Sequence, residues 1–436
     1  MGINGDSKKK FSFRTKIKTL LLLFAGLFVL FPHLSGIYYP SIEANTSGAF
    51  SNVQICEENK IITAKNEKGT VIYSGSDDAK AIEAAINELD NGVITFQKGE
   101  YNINRTISLK SNISFVGDEG VVFKCNRAPA FNTGTCGYSS SEISLKKDVS
   151  SGDTQVVLSS VAKLKVGDYV KISDDFSVSY QGSYYKNGEL AEIVDISGTT
   201  IRVSNPLYSN YTIANNARVR KISMLENISF ENIDFIGYGM GTTSTAISFY
   251  GVKNIKISNC GFEDFGTRGI SFFDCLDCLV EGNTFQRIFR DGTGYGIAIT
   301  NACDNVVIKN NSFLEKGRHY IAIVASRGGD TTDGFTRHVD ILDNVFRDCA
   351  DEAVNSHPTS AATINVIGNE FYNSRKGIEF SNSDSVIQNN TFVGCVNGVV
   401  LFDPGNHLVE GNHFKDNKIS IIPHSTNSTI RDNFFD

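Results

Sequence analysis

Arg318 and His319 stand side by side in the stretch VIKNNSFLEKGRHYIAIVAS, and they pose a chemical question before a structural one. The next comparable stretches carry Asp351 and Glu352, then Arg375, Lys376 and Glu379, with Asn355 and His357 close by. Tyr295 and Arg268 hold the corresponding positions upstream. Histidine can take or give a proton near neutral pH, and arginine or lysine can neutralise a carboxylate. These are the parts that elimination from a uronate sugar needs: cancel the carboxylate charge, remove the acidified neighbouring proton, and assist the departing oxygen. An epimerase needs nearly the same set, returning the proton to the other face. Arg318, His319, Asp351, Glu352, His357 and Glu379 are therefore the catalytic candidates. Arg268, Tyr295, Asn355, Arg375 and Lys376 are the substrate-binding candidates.

The same residues admit other readings. Glycoside hydrolysis needs two carboxylates, about 5–5.5 or about 6.5–9.5 Å apart, which Asp351, Glu352 and Glu379 can supply. Calcium would also use those acids, although the neighbouring arginines and lysine oppose a cation. The residues establish no cofactor, and Ca2+ is the one these acids could take. Solvated turn charges that neutralise one another, on a solenoid that only binds glycans, are the non-catalytic alternative.

Positioning these groups is the task of a repeat. From about residue 225 the chain reads GNTF, NNSF, DNVF, GNEF, NNTF, GNHF and DNFF, with Asn283, Asn311, Asn344, Asn369, Asn390, Asn412 and Asn433 each two residues before a Phe. Looser copies occur at Asn232 and Asn259. The spacing ranges from 21 residues (Asn369 to Asn390) to 33 (Asn311 to Asn344), so each turn has a core of similar length with insertions in some. Each unit holds short segments with period-2 apolar spacing, such as VDILDNVF and TINVIGNEF, which predicts strands stacked unit on unit. The recurring Asn is expected at a corner, in the left-handed backbone region, with its amide bonded to the next coil and the Phe stacked inside.

Aligning the second strand of each unit places Ile247, Ile270, Ile297, Ile321, Val354, Ile378 and Val399 in one inward column. The turn before it then reads Thr245, Arg268, Tyr295, His319, Glu352, Lys376 and Asn397. With layers about 4.8 Å apart, the ionisable groups gather in three successive coils. Alternation does not carry through a turn, so the facing of His319 is left open. Two insertions, QRIFRDGTGY before Ile297 and SRGGDTTDGFTRH after Val324, are expected to wall the same face.

Upstream, SDDAKAIEAAINELD spaces Ile82, Ala85, Ile86 and Leu89 as one helical face, ahead of the strand-like GVITFQKGEY. Such a helix can cover the open end of a coiled core. On these motifs, the helix and the GxxxFxxGxY-like strand together with the repeats, the chain resembles the pectin-lyase-like superfamily over residues 70–135 and 225–436. The resemblance implies an all-β fold, a right-handed parallel β-helix with an N-terminal capping helix, and a polysaccharide partner. The GHG and RIK signature of its polygalacturonase-type members is missing; RIF at 287–289 is no substitute, and NSHP at 355–358 only distantly echoes the DPH motif of the mannuronan epimerases.

Four regions follow: 1–44, a signal peptide or membrane anchor plus a flexible segment; 45–140, the cap and first coils; 141–224, an inserted small β-subdomain; and 225–436, the repeats. The insertion includes AEIVDISGTTIRVS, a hairpin across Ser197-Gly198-Thr199, and its role is read as packing ahead of carbohydrate contact. The apolar run Thr19–Phe31 behind a basic flank is shorter than the about 20 residues of a bilayer span, which favours export to the outside or the cell surface over a membrane tether. Asn-x-Ser/Thr sites such as Asn104, Asn112, Asn210 and Asn427 are compatible with export. Net charge is -7 with the signs interspersed, so no basic stripe for nucleic acid exists. Nine cysteines, scattered and odd in number, fit core filling; only Cys275 and Cys303 fall at one position in neighbouring repeats, where a bridge is allowed. After DNFFD no amphipathic cap follows, which leaves the last coil to self-associate or fray. The leading reading is an exported enzyme that degrades an acidic or amino-sugar polysaccharide by β-elimination.

Overall fold

The computed structural model describes residues 51–180, 183–324, 334–357 and 361–436. The Thr19–Phe31 run and most of the SRGGDTTDGFTRH insertion lie outside the described residues. The chain forms a parallel β-solenoid of about 13 turns, as the repeats predict, and it is right-handed, as the family resemblance implies. A typical coil contributes three strands: a long one such as Leu276–Glu281, a short one such as Thr284–Gln286, and a face strand such as Tyr295–Thr300. Each pairs in parallel with its counterpart in the next coil.

The corner between the long and short strands shows why the repeat has its sequence. The Asn283 backbone N–H and side-chain amide both donate to the Asn311 carbonyl oxygen, at 2.9 and 3.0 Å. The pattern continues through Asn344, Asn369, Asn390 and Asn412 to Asn433. The ladder asparagines are not the left-handed residues, however. Positive φ falls one residue earlier, at Gly282, Asn310, Asp343, Gly368, Asn389, Gly411 and Asp432. That explains why the residue before the ladder Asn is always Gly, Asn or Asp, the types that tolerate this region. Asn232 and Asn259, with φ of 57° and 54°, occupy the left-handed position rather than the ladder. The phenylalanines stack inside as expected, with centroids 4.7–5.0 Å apart from Phe235 to Phe414.

The helix spans Asp78–Glu88, with the Asp77 side chain accepting from Lys80 N at 3.0 Å as its N-cap. Ile82, Ala85, Ile86 and Leu89 are buried against the first coils. Among the described residues, no helix is long and apolar enough to cross a membrane. Six antiparallel strands between Gly137 and Ser223 make a separate sheet with its own core, including the Ser197–Thr200 hairpin. This sheet is pinned to the solenoid by Lys171 Nζ on Asp274 Oδ1 (3.0 Å), by Arg337 over the Tyr208 ring and by the Tyr208 hydroxyl on Asp384 Oδ2 (2.9 Å).

All nine cysteines are free. The bridge that the repeat allows between Cys275 and Cys303 is not formed. Their thiols instead donate to the carbonyl oxygens of Phe273 and Thr300, at 3.4 and 3.2 Å, and Cys303 Sγ accepts from Cys275 N at 3.3 Å.

Candidate functional site

The face strands settle the direction of the turn column. Gly269, Gly296, Gly377 and Gly398 follow Arg268, Tyr295, Lys376 and Asn397. A methyl group added to any of these glycines would press on a ring of the phenylalanine ladder, at 2.7–3.2 Å. The glycine column therefore points inward, as do the aliphatic residues after it. Behind His319 and Glu352 the same place is taken by Tyr320 and Ala353, both buried in the core, and two successive inward residues break strand alternation and turn Arg268, Tyr295, His319, Glu352 and Lys376 away from the coil core. Register confirms the column, pairing Arg268 with Tyr295, Tyr295 with His319, and Glu352 with Lys376.

His319 lies at its centre. Its Nδ1 is 3.0 Å from Glu352 Oε2 and 3.2 Å from the Glu352 backbone oxygen, and its Nε2 is 3.9 Å from Asp351 Oδ2. The Tyr295 ring stacks on the imidazole at 5.5 Å, and the His357 ring meets it edge-on at 6.5 Å. The other Glu352 oxygen accepts from Arg375 Nη2 (2.8 Å) and Lys376 Nζ (2.7 Å). Lys376 also pairs with Glu379, and Arg375 with Asp351, whose second oxygen is 3.6 Å from Arg318 Nη2. Eight of the eleven candidates thus form one connected network: Tyr295, Arg318, His319, Asp351, Glu352, Arg375, Lys376 and Glu379. His357 borders it. Asn355 pairs in register with Glu379, and its buried side-chain oxygen has no hydrogen-bond partner among the described residues. Arg268 stands one coil beyond Tyr295.

The electrostatics follow from the burial. Burial alone would raise the Glu352 carboxyl, but hydrogen bonds and charge from His319 and Lys376 hold it down at about 2. Burial pulls the His319 imidazole below its ordinary value; the Glu352 bond opposes that and the Arg318 charge adds to it. A carboxylate that only accepts assigns the proton to Nδ1 of a neutral His319 and the lone pair to Nε2. That arrangement is a base held in one tautomer, although the His319 side chain is only 2% exposed. His357 is the more accessible imidazole.

One atom each from His319, Asp351 and Glu352 lie within 4.8 Å of one another, a spacing a metal ion can bridge. The donor set does not fit calcium, because Arg318, Arg375 and Lys376 already occupy these carboxylates and Lys376 occupies Glu379.

Of the two insertions, QRIFRDGTGY places Gly294 beside the site, where its carbonyl accepts from His319 N at 3.1 Å. A shallow depression of about 260 Å³, lined by Gln155, Asp195, Ser197, Thr200 and Arg202, belongs to the inserted sheet and brings no base and acid together. Tyr250 and Phe273 were not among the candidates, yet their rings stack at 4.5 Å with 3° between planes and are partly exposed on the same face. The signal was present as two large aromatics in an outward column.

Two family models match the chain: the rhamnogalacturonase A/epimerase, pectate lyase-like family over residues 62–286, and the periplasmic copper-binding protein (NosD) family over residues 323–436. No curated protein matches it. The tailspike protein gp49 from Pseudomonas phage LKA1 is similar at 21% identity and a TM-score of 0.61, over 77% of this chain and 56% of that one. The chain therefore spans little more than half of that tailspike. The Pseudomonas phage phi297 tailspike gp61 is similar at 15% identity and TM-score 0.64, over 81% of this chain and 67% of its own. The gp54 tailspike of Acinetobacter baumannii bacteriophage AP22, solved with a capsular saccharide, is similar at 13% identity and TM-score 0.52, over 81% and 73%. At these identities the likeness is one of fold. The match over residues 62–286 spans more than half of the chain, and this protein belongs to the rhamnogalacturonase A/epimerase, pectate lyase-like family.

Proposed function

We propose that the protein is an exported carbohydrate-active enzyme that cleaves an acidic polysaccharide by β-elimination on the face carrying Arg268 to Glu379. The observation that carries this reading is the His319–Glu352 pair, a neutral imidazole oriented at Nδ1 by an ionised carboxylate, with cations on both sides. In such a site Nε2 takes the proton next to the sugar carboxylate, and the surrounding cations lower the cost of the charge that develops. His357 is the second imidazole, placed to protonate the departing oxygen.

Hydrolysis by two carboxylates has less support. A general acid must hold its proton near neutral pH, and Glu352 is ionised down to about 2. Copper binding, which the NosD match raises, has little support either, since the one donor cluster among the described residues is already neutralised by three cations. One observation favours a glycan-binding surface without turnover: His319 is nearly closed off, and its neighbouring acids are all ion-paired. The tailspike solved with a capsular saccharide shows the fold in the company of such a ligand. Export and surface location belong to the same proposal.

The test is a panel of uronate and amino-sugar polysaccharides, scored for new reducing ends and for unsaturated products absorbing in the ultraviolet. Elimination gives both. Reducing ends without unsaturation would assign hydrolysis, and binding without either would assign the non-catalytic reading.

A further inference from the structure

Four basic side chains line the candidate face, and they are not equivalent. Arg318, Arg375 and Lys376 each touch a carboxylate. Arg268 touches none: among the described residues it forms no side-chain hydrogen bond or ion pair, and its Nε is buried without a partner. Its guanidinium lies over two rings, 5.6 Å from the Phe273 centroid and 5.9 Å from that of Tyr295. Burial draws its proton affinity below the ordinary arginine value, and no acid among the described residues compensates. An arginine that pays desolvation without an internal counter-charge is held ready for an external one. The donor fork of a guanidinium suits a planar, two-oxygen anion. Next to it the Tyr250–Phe273 stack offers an aromatic surface of the kind that covers a sugar ring.

We propose that Arg268, lying over Phe273 and Tyr295, is the subsite that binds the anionic group of a glycan, two coils before His319, while Arg318, Arg375 and Lys376 hold the site's own acids. This rests on the reading that the face takes an acidic glycan, and it narrows that reading. Recognition of the substrate charge is assigned to one side chain, and the ligand runs along the solenoid axis from the aromatic stack toward His319. A sugar carboxylate and a sulfate ester present the same chemistry to a guanidinium, so the test includes both.

The full chain is titrated with glucuronate, glucose and inorganic sulfate, and the arginine Nε–H signals are followed by NMR. The Arg268 signal is identified by its loss in Arg268→Gln. Glucuronate is expected to shift that signal saturably, and Arg268→Gln to weaken glucuronate binding by about tenfold or more, as loss of a charge-assisted pair implies. Arg268→Lys, which keeps the charge but not the fork, is expected to recover only part of it. A response to sulfate alone would overturn the carboxylate assignment, and no response to either anion would overturn the subsite. If glucuronate shifts the Arg268 signal and the polysaccharide panel shows no turnover, the subsite stands and the lyase reading falls. If polysaccharide is cleaved equally well by Arg268→Gln, the reading stands and the subsite falls.

Discussion

At the corner that carries Asn283, Asn311, Asn344, Asn369, Asn390 and Asn412, every rung is the same residue and the amides join at 2.9–3.0 Å. At the turn that carries Arg268, Tyr295, His319, Glu352 and Lys376, no two successive rungs are alike. Both features belong to the same coils, and each is bound from layer to layer. The corner is buried, so each polar group must find its partner in the next coil, and only a repeated amide offers donor and acceptor to both neighbours. The turn column faces away from the core, where packing constrains the residue behind each rung, Gly269, Gly296, Tyr320, Ala353 and Gly377, more than the rung itself. That freedom is what allows a base, its orienting acid and several cations to be set about 4.8 Å apart.

The sharpest way to break this comparison is to damage each side in turn. Phe346 is fully buried and stacked between Phe313 and Phe371 at 4.8 Å. Phe346→Ala is expected to cost about 3–5 kcal/mol, seen as a lowered denaturation midpoint, because the solenoid cannot close the gap. If the midpoint barely moves, the ladder is not what holds the coils together.

Next in size are two pH-dependent effects with different windows. His407 is buried, and burial lowers its pKa to about 4 from an unfolded value near 6.5. The folded state therefore resists a proton that the unfolded chain accepts. Stability is complete above about 6.5 and falls by about 3 kcal/mol as pH drops toward 4. His407→Leu is expected to abolish this slope in thermal melts recorded across that range. Glu352, at about 2 against 4.5 unfolded, contributes stability above 4.5 that is lost as pH falls from there toward 2. Glu352→Gln is expected to lose about 2–3 kcal/mol at neutral pH and to flatten that lower window, since it leaves His319, Arg375 and Lys376 short of their common acceptor. A variant that melts like the parent at pH 7 and pH 3 would remove Glu352 from the centre of the network.

The smallest effect sharpens the contrast. Among the described residues Glu379 pairs only with Lys376, which has Glu352 as well. Glu379→Gln is expected to change stability by less than about 1 kcal/mol, as for other peripheral ion pairs.

These two regions also differed in how far the sequence revealed them. The Asn-x-Phe spacing predicted the solenoid and the stacked rings because a buried position repeats its residue. The left-handed residue was misplaced by one, since Asn fits both corner positions and only the Gly and Asp alternatives before it tell them apart. The three charged coils were legible once strands were aligned, but the outward facing of His319 was not. It depends on the residue behind each rung packing inward, Gly296 and Gly377 against the phenylalanine ladder, Tyr320 behind His319 and Ala353 behind Glu352 inside the core, which is a packing fact. The isolation of Arg268 among paired cations was equally hidden, because pairing depends on side-chain reach across coils rather than on residue type.

The central claim is that His319, held by Glu352, removes a proton from an acidic sugar. The direct measurement is the rate at which unsaturated product forms from a cleaved uronate polysaccharide, comparing the parent with His319→Ala. Loss of a general base predicts a fall of about 10²–10⁴-fold, with glycan affinity largely kept. An unchanged rate, or cleavage that yields reducing ends without unsaturated product, would contradict the account.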